Sequence, residues 1–124
     1  MSIRKLEDLT VWKRAKQVNN QAYQVIKTIN DFDYQRQMKR SALSIPSNIA
    51  EGFGRRSDRF FIQYLSYSMG SLMELKTQLI ICVELGLTTS TDVAPILSEL
   101  EELASMIFRL SEAVQRRVDQ NREK

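Results

Sequence analysis

Histidine is absent from the 124-residue chain, and cysteine occurs once, at Cys82. Without imidazole, Ser-His-Asp and Cys-His nucleophile systems, the usual zinc ligand sets and the carboxylate-histidine di-iron bundle all drop out. A lone cysteine closes no intrachain disulfide. Glycine and proline are scarce, at four and two, against a hydrophobic fraction of 43%; that balance favours long helices over a sandwich or barrel full of turns. The most apolar stretch, around Leu79 to Val83, is flanked by polar residues and is far shorter than a bilayer-spanning helix. Nor does the opening MSIRKLEDLT contain the continuous apolar run of a secretory signal, so a cytoplasmic protein is expected. There is no glycine-rich phosphate loop, helix-turn-helix, RNA-recognition sheet or zinc module. Together these absences predict a non-enzymatic protein that uses no metal and no cofactor and does not engage a membrane.

What remains is a strongly periodic chain. Eighteen Lys and Arg face fifteen Asp and Glu, a formal net charge of +3, so arguments about partners depend on where charges sit. The length suits one domain over 1–124, with a core over roughly 9–118 and a frayed C-terminal tail. Val11, Ala15, Val18, Ala22, Val25 and Ile29 alternate steps of four and three, which puts them on one face of a first helix. Asp33 is expected to cap a second helix whose inner face, Met38, Ala42, Ile45, Ile49 and Phe53, keeps its spacing despite Pro46, which lacks the amide donor for Ala42 and so predicts a bend near Ala42 to Pro46. Ser57 can cap a third helix with the stripe Ile62, Leu65, Met69, Leu72, Leu79 and Val83, closed by Gly86. A fourth follows with Val93, Leu97, Leu100, Ala104, Ile107, Ser111 and Val114 inward. Short connections make sequential helices antiparallel, so the expected fold is all-α, a single-domain antiparallel up-down four-helix bundle.

The third helix carries a second, heptad-spaced stripe: Tyr64, Ser68, Ser71, Leu75, Gln78 and Cys82. One bundle core does not require it. An interface with another copy, with Gly70 and Ser71 permitting close approach, is the sharper reading of Tyr64, Ser68, Ser71, Leu75 and Gln78. The plainer reading leaves the stripe facing water.

The segments QMKRSALSIPSNIAEGFGR and FIQYLSYSMGSLMELKTQL, with LEDLTVWKRA before them and ELGLTT after, resemble the bacterial four helix bundle family also called 23S rRNA intervening-sequence proteins. The resemblance covers nearly the whole chain and is weakest in the last helix. It implies a four-helix subunit assembled as a ring, typically a homopentamer, of poorly defined biochemical role. A distantly similar bundle, the accessory protein of diversity-generating retroelements, engages nucleic acid or reverse transcriptase, and that similarity is one of fold alone. Among the family-like polar positions, Asn48 and Glu51 lie about a turn apart, and an adjacent helix can present Ser71, Glu74 or Gln78 to them. Asn48, Glu51 and Glu74 therefore read as a structural polar seam. The rival, Glu51 and Glu74 as an acid-base or metal pair, is weak without histidine.

An up-down bundle gathers Arg4 and Lys5, then Arg55, Arg56 and Arg59, then Arg116, Arg117, Arg122 and Lys124 at one end, diluted by Glu7, Asp8, Asp58, Asp119 and Glu123. Asp31, Asp33, Glu84 and Asp92 collect at the other, with Lys27 and Arg36 as partial counterweights. Repeated around a ring, the basic end would form a phosphate-binding surface. Arg55, Arg56, Arg59, Arg116 and Arg117 are thus the candidate contacts to RNA or DNA backbone, although arginine at a helix C-terminus also complements the macrodipole. Phe53, Phe60 and Phe61 can stack on bases but at this spacing are more often buried. The leading expectation is a homo-oligomeric bundle binding nucleic-acid backbone. The alternative is a protein-protein interaction scaffold with an unknown protein partner, and an enzyme ranks third.

Overall fold

A computed structural model describes residues 5–122. A single 3-10 turn, Leu6–Asp8, leads into four α-helices: α1 Thr10–Ile26, α2 Phe32–Gly54, α3 Asp58–Glu84 and α4 Ser90–Arg122. Each helix packs against its sequence neighbours, and α1 closes on α4, which makes the expected up-down bundle. Of the charged residues expected at the basic end, Arg4, Glu123 and Lys124 lie outside the described residues.

Capping chemistry sets the helix starts. Asp31, rather than Asp33, caps α2 by accepting from the Tyr34 amide at 3.2 Å, and Asp33 falls in the first turn, where its charge still suits the helix dipole. Ser57 caps α3 as expected, accepting from the Phe60 amide at 3.5 Å. The Thr89 hydroxyl accepts from the Asp92 amide at 3.1 Å at the start of α4. The α3 terminus has paired closing bonds, Leu87 N–H to Cys82 O at 2.8 Å and Gly86 N–H to Val83 O at 3.1 Å, with Gly86 at φ 76°. This is the Schellman arrangement that favours glycine at the left-handed position. The second helix continues through Pro46, whose ring is buried.

The inner faces of α1 and α2 follow most of the sequence pattern: Val11, Ala15, Val18 and Ala22 in α1, and Met38, Ala42, Ile45 and Ile49 in α2, are buried, whereas Ile26 is buried in place of Val25, Ile29 is buried just beyond α1, and Phe53 is only half-buried. The other two helices are rotated from expectation. On α3 the buried face is Phe61, Leu65, Ser68, Leu72, Leu75, Leu79 and Cys82. It takes alternate members from both sequence stripes, because α3 packs on α2 and α4 at once and the bundle axis falls between the stripes. Ile62, Met69 and Val83 are only partly buried at one edge of that face. On α4, Ile96 and Leu103 join Val93, Leu100, Ile107 and Val114 inside, while Leu97 and Ala104 move to the flank.

Two local features tie the layers together. Arg14 of α1 reaches α4, with Nε 2.9 Å from Glu99 Oε2 and a terminal nitrogen 3.1 Å from Glu102. The hydrogen bond to Glu99, followed by the nearby carboxylate charges, raises the guanidinium pKa despite partial desolvation. Burial pushes the Cys82 thiol pKa up, with the Asp31 charge adding to it, so this side chain behaves as a neutral core group 3.6 Å from Met38 Sδ.

A candidate nucleic-acid interface at the basic end

The C-terminus of α2, the N-terminus of α3 and the C-terminus of α4 meet at one end of the bundle. The α2 to α3 connection is only three residues, Arg55 to Ser57, between Gly54 and Asp58. To reverse direction this tightly, Arg56 adopts φ 57°, a left-handed conformation that is uncommon for a residue with a Cβ. Its guanidinium lies 5.3 Å from the Phe53 ring centroid. Gly52 permits the close crossing of α2 on α3: a Cβ there would lie 2.6 Å from Tyr64 Cβ and 3.3 Å from Phe61 Cδ1.

Two adjoining clefts open at this end. One, of about 280 Å³, is lined by residues including Arg56, Ser57, Asp58, Phe61 and Arg117. The other, of about 330 Å³, is lined by Ser57, Asp58, Arg59, Val118, Asn121 and Arg122. The fold therefore brings Arg56 together with Arg117, and Arg59 together with Arg122, around a shared Ser57 and Asp58. Asp58 partly neutralises this end by holding Arg117 at 3.0 Å. Arg116 is exposed and lines neither cleft.

Arg55 lies on the α2–α3 edge. It donates to the Tyr64 hydroxyl at 2.9 Å and sits 3.7 Å from Glu51, while the same hydroxyl donates to Glu51 at 3.4 Å. The Arg55 guanidinium is 5.4 Å from the Phe60 centroid and 5.3 Å from that of Tyr64. Among the three phenylalanines the structure separates roles. Phe61 is buried and meets half-buried Phe53 edge-on at 6.1 Å, whereas Phe60 is exposed. Sequence reasoning overlooked Tyr67 at this end, which packs edge-on against Tyr64 at 5.3 Å. The signal was present as the i, i+4, i+7 spacing of Phe60, Tyr64 and Tyr67.

The expected polar seam of Asn48, Glu51 and Glu74 does not form, since each of the three finds a different partner. Ser41 of α2, not Asn48 or Glu51, meets Glu74, at 3.0 Å. The buried Ser68 hydroxyl donates to Ile45 O at 2.9 Å. Asn48 turns back along its own helix, donating to Ser44 O at 2.8 Å. Glu51 and Glu74 make contacts with residues ten apart on both helices, roughly 15 Å along the axis, so they do not form a pair. Among the described residues, no group of three or more His, Cys, Asp or Glu side chains is arranged to hold a metal ion.

The interface assignment on α3 is corrected for two of its members. Ser68 and Leu75 are fully buried inside the subunit and are therefore not open to another chain. Tyr64, Ser71 and Gln78 are half-buried, and Gln78 faces a shallow polar groove with Arg36, Arg40, Ser41 and Glu74. The spacing is the same for a subunit core and for an intersubunit seam, so periodicity could not separate them.

Fold and surface together define a small up-down helical bundle whose most distinctive surface is an end rich in arginine and exposed aromatic rings. The chain belongs to the family described as 23S rRNA-intervening sequence protein, whose sequence model matches residues 7–109. Arg55, Arg56, Arg59 and the aromatic residues lie inside that match, while Arg116, Arg117 and Arg122 lie beyond it. A comparison with curated proteins finds no match. Among the described residues, no helix is long and apolar enough to cross a membrane.

Proposed function

We propose that this protein acts in the cytoplasm as a non-enzymatic homo-oligomer, the pentamer that the family resemblance implies, and holds RNA or DNA backbone on its basic end. The observation that carries this reading is the convergence of arginines from three chain segments around two adjoining clefts. Each phosphate neutralised by such a residue releases counterions and contributes affinity without base contact. Arg117 is partly committed to Asp58 and Arg55 to Glu51, so Arg59 is the strongest single candidate for a phosphate contact.

The test is a salt titration of wild type and an R55A/R56A/R59A variant against labelled structured RNA and duplex DNA. Wild type is expected to bind with an affinity that falls steeply with salt. In the variant the slope of log K against log salt should be shallower by up to about 3, given roughly 0.9 per phosphate contact. No binding by wild type at low salt would sink the reading. It would favour the alternative, a protein-interaction scaffold, for which the exposed Met73, Ile80 and Phe108 supply apolar surface on α3 and α4. Self-assembly through those helices draws on the same surface.

A further inference from the structure

We propose that the basic end prefers single-stranded over duplex nucleic acid, because it couples its arginines to an open ladder of aromatic rings on α3. This rests on the phosphate-binding reading above and adds a base-stacking element to it. Phe60 and Tyr67 lie two helical turns apart and keep 45% and 48% of their surface open, far more than a core ring. Tyr64 bridges them, half-buried, with its hydroxyl tethered between Arg55 and Glu51. Tyr67 is steadied by Gln63, whose side-chain amide donates to its hydroxyl at 2.7 Å, and by its edge contact with Tyr64. Tyr64 and Tyr67 are thus held in place, while the outer surfaces of Phe60 and Tyr67 remain in water, which costs free energy unless a partner covers them.

The neighbouring charge specifies that partner. Arg55 lies against both Phe60 and Tyr64, and exposed Arg59 precedes Phe60 in the same turn of α3. Positive charge beside rings matches a strand that presents phosphates and π-faces together. Unpaired bases offer those faces, whereas in a duplex the faces are hidden in the stack and only phosphates, sugars and base edges remain accessible. A duplex can use the arginines but gains nothing from Phe60 and Tyr67. A purely apolar protein partner would leave Arg59 uncompensated.

The experiment compares an unstructured oligo-deoxythymidine and a duplex of equal length, with oligo-uridine as the ribose counterpart. Wild type, F60A/Y67A and the conservative F60W/Y67F are titrated, each with its fold checked by circular dichroism and its mass by light scattering. Wild type should bind the single strands at least about tenfold more tightly than the duplex, within the range that base stacking on aromatic side chains supplies. F60A/Y67A should lose that preference while keeping duplex affinity and its salt slope, and F60W/Y67F should retain the preference. Equal binding of single strand and duplex by wild type, or an equal loss on both in F60A/Y67A, would overturn the stacking proposal and leave phosphate binding standing. Binding to neither would overturn both.

Discussion

At the scale of single residues, the α2 to α3 corner holds two substitutions with opposite expected signs. Gly52→Ala forces a Cβ against Tyr64 Cβ, an atom so near the α3 backbone that it cannot swing aside. Overpacking of this kind costs about 1–3 kcal/mol and outweighs the roughly 1 kcal/mol that alanine returns in helix propensity. Gly52→Ala is therefore expected to lower the urea midpoint. Arg56→Gly relieves a left-handed residue with a Cβ, a conformation costing about 1–2 kcal/mol. Part of that gain is offset by loss of the contact with Phe53, so a net stabilisation of about 1 kcal/mol in urea unfolding is expected. If Arg56 is kept for a ligand, the same variant should also bind nucleic acid more weakly, which fits strain held at a functional turn.

The third helix is the element whose role changed most between pattern and fold. Its residues lie at the spacing of two seams, and the structure makes one inner face from three members of each, with Phe61 added. Leu75 distinguishes the two assignments energetically. As a fully buried core residue it should cost about 2–5 kcal/mol when changed to alanine, in any oligomeric state. Were it an intersubunit contact alone, Leu75→Ala would lower the assembly's mass and leave subunit unfolding, measured below the dissociation concentration, nearly unchanged. The caps show a milder version of the same ambiguity. Asp31 and Asp33 both suit a helix start, and the choice fell to Asp31 because Phe32 already has helical geometry.

At the scale of the whole molecule, the up-down path sorts charge by end. Asp31, Asp33, Glu84 and Asp92 lie at one pole, and Arg55, Arg56, Arg59, Arg116, Arg117 and Arg122 at the other, although the total is only +3. Assembly is a second property of this scale. Gly70 sits exposed in the middle of α3 with open space around a notional Cβ, so no packing within the subunit explains it. Gly70→Ala should raise the stability of an isolated subunit by about 1 kcal/mol through helix propensity. If α3 meets another copy closely there, the same change should lower the mass measured by light scattering. An unchanged mass would move the proposed interface away from Gly70.

Much of this protein was legible in the chain itself. Four amphipathic periods, few breakers and short capped connections determine four helices and their antiparallel order, because helix formation and local turning depend on neighbours in sequence. The family signature is likewise carried by the residues themselves, and the ends at which the arginines gather follow from the helix order. Tertiary structure alone decided the facing of α3 and α4, because the rotation of a helix is set by what its two neighbours bury together. It also decided that Ser41 meets Glu74, that Phe61 is covered while Phe60 is open, and that Gly52 must lack a Cβ. Each of these depends on distances between atoms far apart in the chain, and hydrophobic spacing carries only the angle around one helix, not the identity of the helix it meets.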